Sequence, residues 1–195
     1  MLGLEEVPGE WVPNENISPG EGVAVVTDAL KRKVDFYKWG LVPSWAKDIS
    51  IGNKMINARA ETLLEKPSFR NAFNRRRCLI PASGFYEWKQ EGNKKQPYLF
   101  ELVDQKAFSF AGLWEYWHDP QGNELYTCTI ITTEPNELVA EYHNRMPVIL
   151  NATDCWSWLE NHPVADLQKM LTAYPAEQMA VPVKIAPQKL SRFAG

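Results

Sequence analysis

The pattern of hydrophobic and polar positions along the chain is mainly that of short strands. Apolar residues alternate with polar ones or run together in "VAVVTDA" (23–29), "FYEW" (85–88), "AFSFAGLWEYW" (107–117) and "LYTCTIITT" (125–133). Helical spacing is confined to brief stretches: parts of 55–77, interrupted at Pro67, and 134–144, 152–161 and 163–174. Because this order is not a regular strand–helix alternation, it predicts an α+β fold with a mainly antiparallel, barrel-like β-sheet and peripheral short helices.

The length and the bulk composition favour a single domain over residues 1–195. The chain has 195 residues, of which 45% are hydrophobic, and it contains no repeat or linker that would divide it. Its net charge of −3 gives no bulk reason to expect a nucleic-acid partner, so any such partner must be held by a local patch. No stretch approaches the ~20 apolar residues of a membrane span, and no signal peptide begins the sequence. We therefore expect no membrane partner. We also expect a cytoplasmic location and a monomer.

The three cysteines, Cys78, Cys128 and Cys155, are widely spaced, and no pair has the spacing of metal ligands. They are typical of buried structural thiols in a reducing compartment. We expect neither a metal nor a cofactor.

Glu87 is the first candidate for chemistry. In an extended strand Phe85, Glu87 and Lys89 face one way, while Tyr86 and Trp88 face the other. A glutamate on a partly apolar face has its pKa raised by desolvation, which suits it to proton transfer near neutral pH. The alternative is a glutamate on the sheet surface, paired with a neighbouring lysine or arginine.

"MINARAET" (55–62) is the second candidate. If it is extended, Asn57, Arg59 and Glu61 share one face and small residues share the other. Asparagine and arginine side by side can hold an oxygen-rich ligand, since the arginine fork matches phosphate. A solvated loop or helix start explains the same pattern equally well.

Several other side chains could meet a ligand. His143 is a natural proton shuttle and lies two residues from Arg145 in "EYHNRMPVIL" (141–150). Trp45, in "WGLVPSWA" (39–46), could stack on a base or pack in the core. Arg70 and the run Arg75–Arg77 could meet phosphates or form an ordinary solvated surface.

Taken together in this order, several segments resemble the SRAP family, the SOS-response-associated peptidases or abasic-site processing proteins. The resembling segments are "WGLVPSWA", "INARAET", "SFRNAFNRRRCLIPASGFYEW", "QPYLF", "FAGLWEYW", "TIITTEPN" and "HNRMPVIL". The resemblance implies a compact fold with a groove for single-stranded DNA that contains an abasic site. It also implies that Asn57, Glu87 and His143 are catalytic, and that Trp45, Arg59 and Arg145, with Arg70 and Arg77 of the basic run, contact DNA.

The mechanism implied by the resemblance is a covalent one. An N-terminal cysteine, exposed by removal of the initiator Met, forms a Schiff base with the abasic aldehyde through its amine and closes a thiazolidine ring through its thiol. The same cysteine is tied to self-cleavage of the first residue. In this sequence residue 2 is Leu. We therefore expect that about one strand and one short helix of the family's N-terminal block are missing, and that the chain binds abasic DNA without a stable crosslink.

Two other functions are compatible with the sequence. A non-catalytic module for single-stranded DNA would need the groove but not the acid–base chemistry of Glu87. A peptidase acting on other proteins would need a nucleophile paired with a base, and no Ser/His/Asp or Cys/His pairing at recognisable spacing is present.

Overall fold

A computed structural model describes residue 4 and residues 14–186. The expectation that a strand and a helix are missing at the N-terminus concerns a part of the chain that lies outside these residues. The extent of a single domain over 1–195 stays a prediction for the same reason.

The described residues form a curled, half-barrel mixed sheet, a smaller second sheet and a few short helices, which confirms the predicted α+β fold. The strands between residues 14 and 186 are β1 (Gly22–Val25), β2 (Asp35–Trp39), β3 (Asn57–Arg59), β4 (Arg77–Ala82), β5 (Phe85–Glu91), β6 (Lys94–Phe100), β7 (Phe108–His118), β8 (Glu124–Thr133), β9 (Met146–Pro147), β10 (Ile149–Leu150) and β11 (Val183–Lys184). The α-helices of the same range are α1 (Pro67–Arg75), α2 (Glu137–Ala140), α3 (Asp154–Leu159) and α4 (Val164–Lys169).

Strand β8 organises the larger sheet. It pairs in parallel with β2 and β3 along one edge and antiparallel with β7 and β9 along the other. Seven consecutive residues from Thr127 to Thr133 are buried, and the run is rich in Thr and Ile, which suit a strand covered on both faces. The strand that the sequence predicts most clearly is therefore the centre of the fold.

The two faces of the larger sheet cover separate hydrophobic clusters. Ile131 belongs to the cluster that contains residues of α1, α3 and α4, whereas Ile130 belongs to the cluster that contains Phe85 and Phe100 of the smaller sheet. Adjacent residues of one strand point to opposite faces, so β8 contributes to both clusters. The smaller sheet, in the order β11–β6–β5, thus lies over one face of the larger sheet.

The segment 55–77 differs from the expectation of helical stretches interrupted at Pro67. Its first part is strand β3 followed by a 3₁₀ turn, Ala60–Thr62. Pro67 begins helix α1 rather than breaking one. Proline has no N–H to contribute and its fixed φ is helical, so the first turn of a helix accepts it readily.

The arginine run at 75–77 does not form one basic surface. Arg75 is exposed, while Arg76 donates to the nearly buried Glu115 at 2.6 Å. The Arg77 side chain is buried, and its guanidinium donates to the backbone carbonyls of Phe73, Asn74, Trp158 and Glu160. Its nitrogens are used inside the protein, so the expectation that Arg77 meets a DNA phosphate is corrected: this side chain joins α1 to the end of α3.

We predict that Arg77→Lys lowers the free energy of unfolding by about 2–4 kcal/mol, because an ammonium cannot reach four separate carbonyls and leaves some of them unpaired in the interior. Urea unfolding followed by tryptophan fluorescence measures the change. The control is Arg75→Lys on the exposed neighbour, which should alter stability by less than about 0.5 kcal/mol. Equal unfolding midpoints for the two variants would contradict the structural role of Arg77.

Candidate active site around Glu87 and His143

The β5–β6 hairpin places Glu87 on an aromatic surface. Glu87 lies opposite Tyr98, and Phe85 lies opposite Phe100, so the four side chains share one face of the smaller sheet. The ring of Tyr142 packs edge-on against both Tyr98 and Phe100, with ring centroids 4.8 and 5.1 Å away. The side chain of Glu87 is 17% exposed. The alternation predicted for this strand therefore puts a carboxyl group against apolar surface.

Helix α2 carries His143 to the same place. Asn136 caps the helix by accepting a hydrogen bond from the Val139 N–H at 2.9 Å. The N–H groups of Tyr142 and His143 then both donate to the Val139 carbonyl, which closes the helix end. His143 Nδ1 consequently lies 3.7 Å from Glu87 Oε2, and the histidine side chain is 47% exposed.

Burial controls the protonation of Glu87. Loss of hydration raises the pKa of its carboxyl group from its usual acidic value to about 7, and the nearby His143 and the backbone N–H of Trp88 oppose that rise. A carboxyl group with this pKa exists in both protonation states at neutral pH. It can therefore donate a proton in one step of a reaction and accept it in another.

The backbone of Arg145 holds the histidine ring. Its carbonyl oxygen lies 3.1 Å and its N–H nitrogen 3.3 Å from His143 Nδ1. A protonated Nδ1 can donate to the carbonyl, and an unprotonated Nδ1 can accept from the N–H. The same backbone thus accommodates the ring in either state.

The side chain of Arg145 is bound inside the protein. Its two terminal nitrogens each lie 2.9 Å from an oxygen of Glu61, and one of them also donates to the Thr132 carbonyl at 2.7 Å. The hydrogen bonds from Arg145 lower the pKa of the Glu61 carboxyl, which stays ionised at neutral pH.

Asn57 and Arg59 lie on the exposed side of strand β3, and Ala58 between them is buried, which confirms the expected alternation for these three residues. Glu61, expected on the same extended face, lies instead in the 3₁₀ turn that follows the strand. Arg59 of β3 pairs with Thr132 of β8. On its other edge Thr132 pairs with Pro147 of β9, the strand that begins directly after Arg145. The hydrogen bonds within the described residues do not link the Asn57 side chain to Glu87 or His143. Its participation with them stays a prediction.

Trp45 and Arg70 both occupy exposed positions. Trp45 is 59% exposed and lines a cavity of about 500 Å³ together with Lys47 and Lys54. The loop that carries Trp45 begins at Gly40, which has a φ of +129°. A side chain at this position would also collide with the Gly52 carbonyl oxygen, so only glycine fits. Arg70 lies on the exposed side of α1.

The three cysteines are free and buried, as their sequence context predicts. Burial raises the pKa of the Cys155 thiol to about 11 and raises the pKa values of the Cys78 and Cys128 thiols as well. Three or more metal-binding side chains do not come together anywhere in the part of the chain that the structure describes. Of the helices in that part, none has the length and apolar character to cross a membrane.

Sequence reasoning missed two contributors to this site. Tyr142 packs over the aromatic face beside Glu87. The sequence feature that could have identified it is its position next to His143. Glu61 was recognised as part of an alternating pattern but not as the partner of Arg145, because 84 residues separate the two and no local spacing connects them.

Comparison with known proteins identifies the family. The family model described as SOS response associated peptidase (SRAP) matches residues 3–186. The chain therefore belongs to the SRAP family.

Similar proteins carry names that refer to abasic sites. The chain is 49% identical over 175 residues to the abasic site processing protein YoqW of Bacillus subtilis (strain 168), covering 88% of this chain and 78% of that protein. It is 34% identical to the abasic site processing protein HMCES of Gallus gallus, covering 88% of this chain and 61% of that protein. A crystal structure of a protein from Bacteroides thetaiotaomicron has a TM-score of 0.84 at 32% identity, covering 89% of this chain and 77% of that one.

We predict that Glu87→Gln changes how stability depends on pH. The pKa of Glu87 is higher in the folded chain than in the unfolded one, so the folded state holds an extra proton between about pH 4.5 and 7. The corresponding stability is present in acid and is lost as the pH rises through 7. The free energy of unfolding of Glu87→Gln minus that of the parent should therefore increase by about 3 kcal/mol between pH 4 and pH 8.

Urea unfolding at each pH measures this difference, and subtracting the parent removes most other titrations. Glu65→Gln, at an exposed glutamate that precedes α1, is the matched control for the loss of one carboxyl group. A Glu87→Gln difference that is constant between pH 4 and pH 8 would show that Glu87 titrates as a solvated carboxyl.

Proposed function

We propose that the chain binds single-stranded DNA at an abasic site and that Glu87 is the acid–base group for condensation with the sugar aldehyde. One observation carries this proposal: a carboxyl group that is only 17% exposed, on an aromatic face, lies 3.7 Å from a half-exposed histidine. Loss of hydration there raises the pKa of the carboxyl group. Membership of the SRAP family and the similarity to abasic site processing proteins supply the substrate class.

The proton requirements of the reaction match such a group. An amine of the protein attacks the aldehyde carbon to give a carbinolamine, and the imine then forms as the hydroxyl leaves as water. Loss of that water requires a proton donor, and the reverse hydrolysis requires a base that activates water. Glu87 performs both roles because both of its protonation states are populated at neutral pH.

His143 prepares the aldehyde. An abasic sugar is mostly a closed ring, and opening it needs a proton removed from the C1′ hydroxyl and one delivered to the ring oxygen. The half-exposed imidazole accepts the first proton and returns it to the ring oxygen as the bond between C1′ and that oxygen breaks, while the backbone of Arg145 keeps the imidazole in place. Asn57 serves in this proposal to orient the attacking N-terminus by hydrogen bonds.

The crosslink implied by the family needs an amine and a thiol on one residue. None of the three cysteines can supply this pair, because each is internal in the chain and buried. We therefore propose that a thiazolidine adduct and the associated self-cleavage require a cysteine at the N-terminus.

DNA contacts are proposed for three exposed side chains. Trp45 offers a free indole for stacking, and Arg59 and Arg70 offer exposed guanidinium groups for phosphates. Arg77 is removed from this set because its guanidinium is used inside the protein. Arg145, which the sequence also suggested, is bound by Glu61 and by the Thr132 carbonyl.

A peptidase acting on other proteins is less well supported. Ser157 Oγ lies 2.8 Å from His162 Nε2, which is hydrogen-bonding distance for a nucleophile and a base. Glu160, however, approaches the same nitrogen, at 3.6 Å. In a catalytic triad the carboxylate binds the other ring nitrogen, so this arrangement lacks the orientation that the chemistry requires.

We predict that Glu87→Gln separates processing from binding. The rate of Schiff-base formation on single-stranded DNA with one abasic site should fall at least 100-fold, because the proton donor is lost. The dissociation constant, measured by fluorescence anisotropy, should change less than threefold. Borohydride trapping followed by a denaturing gel measures the rate, with Glu65→Gln as the control. Unchanged trapping by Glu87→Gln would contradict the acid–base role of Glu87, whereas binding without trapping by the parent would favour a non-catalytic binding module.

A second comparison tests the role of an N-terminal cysteine. A polypeptide that begins Met-Leu and the same polypeptide preceded by a block that begins Met-Cys are incubated with abasic DNA and heated before electrophoresis. We expect a heat-stable shifted band only from the Met-Cys chain. A heat-stable band from the Leu2 chain would contradict the proposed amine–thiol requirement.

A further inference from the structure

Four residues form a continuous chain of contacts that ends at the proposed acid–base group. Glu61 binds the guanidinium of Arg145, the backbone of Arg145 binds His143 Nδ1, and His143 lies 3.7 Å from Glu87. Glu61 belongs to the 3₁₀ turn after β3, whereas Arg145 precedes β9. The two segments lie on opposite edges of β8, and the Glu61–Arg145 ion pair joins them at the end of that strand.

The geometry around Arg145 leaves its side chain little freedom. Both terminal nitrogens contact Glu61 at 2.9 Å in a two-pronged arrangement, and the Thr132 carbonyl accepts a further bond at 2.7 Å. The arginine side chain is only 18% exposed, although Glu61 is 48% exposed. Two-pronged arginine–carboxylate pairs fix direction as well as distance, so this contact constrains the arginine more than a single surface ion pair does.

The fixed side chain has a direct effect on the histidine. The N–H and carbonyl of Arg145 that contact His143 Nδ1 belong to the residue whose side chain is held by Glu61 and Thr132. Without Glu61, a half-buried guanidinium loses its counter-charge, and the loop from 142 to 145 gains freedom. The contacts between the Arg145 backbone and His143 Nδ1 are then weakened, and the half-exposed histidine ring is held less firmly near Glu87.

We propose that Glu61 is a positioning residue which, through Arg145, keeps His143 at its working distance from Glu87. This inference concerns the mechanism and rests on the proposed function for its effect on reaction rate. Its structural part, the placement of His143, stands on the contacts alone.

Two other roles of the Glu61–Arg145 ion pair would give different experimental results. If Arg145 served mainly to bind phosphate, Glu61 would compete with DNA for it, and neutralising Glu61 would strengthen binding and steepen its salt dependence. If the ion pair served only the stability of the fold, its loss would lower the unfolding midpoint without altering His143. The positioning role predicts neither outcome.

The test compares Glu61→Gln with Glu65→Gln, an exposed glutamate four residues further along the same segment. The first readout is the ¹⁵N spectrum of the His143 imidazole in the free protein, assigned with His143→Gln. We expect Glu61→Gln to change the His143 nitrogen shifts and Glu65→Gln to leave them as in the parent. Unchanged His143 shifts in a folded Glu61→Gln protein would overturn the proposal.

The second readout is processing of abasic single-stranded DNA in a single turnover, with the dissociation constant measured separately. We expect Glu61→Gln to slow borohydride-trappable adduct formation about 10- to 100-fold, the scale of a misplaced catalytic group, with DNA affinity within twofold of the parent. Arg145→Gln should slow it similarly, and the double variant should be no slower than either single one. A rate equal to the parent's, or a loss matched by weaker binding, would overturn the proposal.

These readouts separate the two claims. If the parent protein forms no adduct with abasic DNA, the proposed function fails, while the nitrogen spectrum still decides whether Glu61 positions His143. If the parent forms the adduct and Glu61→Gln behaves like Glu65→Gln in both readouts, only the positioning role fails.

Discussion

Desolvation of one carboxyl group is the constraint on which the proposed chemistry depends. Glu87 lies on the aromatic face of the β5–β6 hairpin, and burial there raises its pKa to about 7. A carboxylate in water would remain ionised at neutral pH and would be a poor proton donor. The aromatic rings of Tyr98, Phe100 and Tyr142 therefore contribute to the proposed proton-transfer site by packing on the face that carries Glu87.

Strand β8 positions the residues that lie around Glu87 in the proposed site. Strand β8 pairs with β3 on one edge and β9 on the other, and its end at Thr132 is the point where Arg59, Pro147 and the Arg145 side chain meet. The loop that carries His143 is thus anchored to the centre of the larger sheet, while Glu87 belongs to the smaller one. The proposed site forms where the two sheets approach each other, so its geometry depends on both.

The sequence predicted those features that arise from local patterns. Alternation in "FYEW" placed Glu87 on an apolar face, and alternation in "NAR" placed Asn57 and Arg59 on the exposed side of β3. Features that arise from contacts distant in sequence could not be predicted. The burial of Arg77 depends on carbonyls 81 and 83 residues away, and the pairing of Arg145 with Glu61 spans 84 residues. A run of three arginines has the same composition whether it lies on the surface or in the interior.

The central claim is that both protonation states of Glu87 are populated at neutral pH, and a direct titration of its carboxyl group tests that claim. The ¹³C chemical shift of the Glu87 side-chain carboxyl, assigned by comparison with Glu87→Gln, would be followed by NMR from pH 4 to pH 9. The account predicts a transition centred near pH 7. A transition near the ordinary glutamate value of about 4.3 would contradict it, because the carboxyl would then be fully ionised at neutral pH.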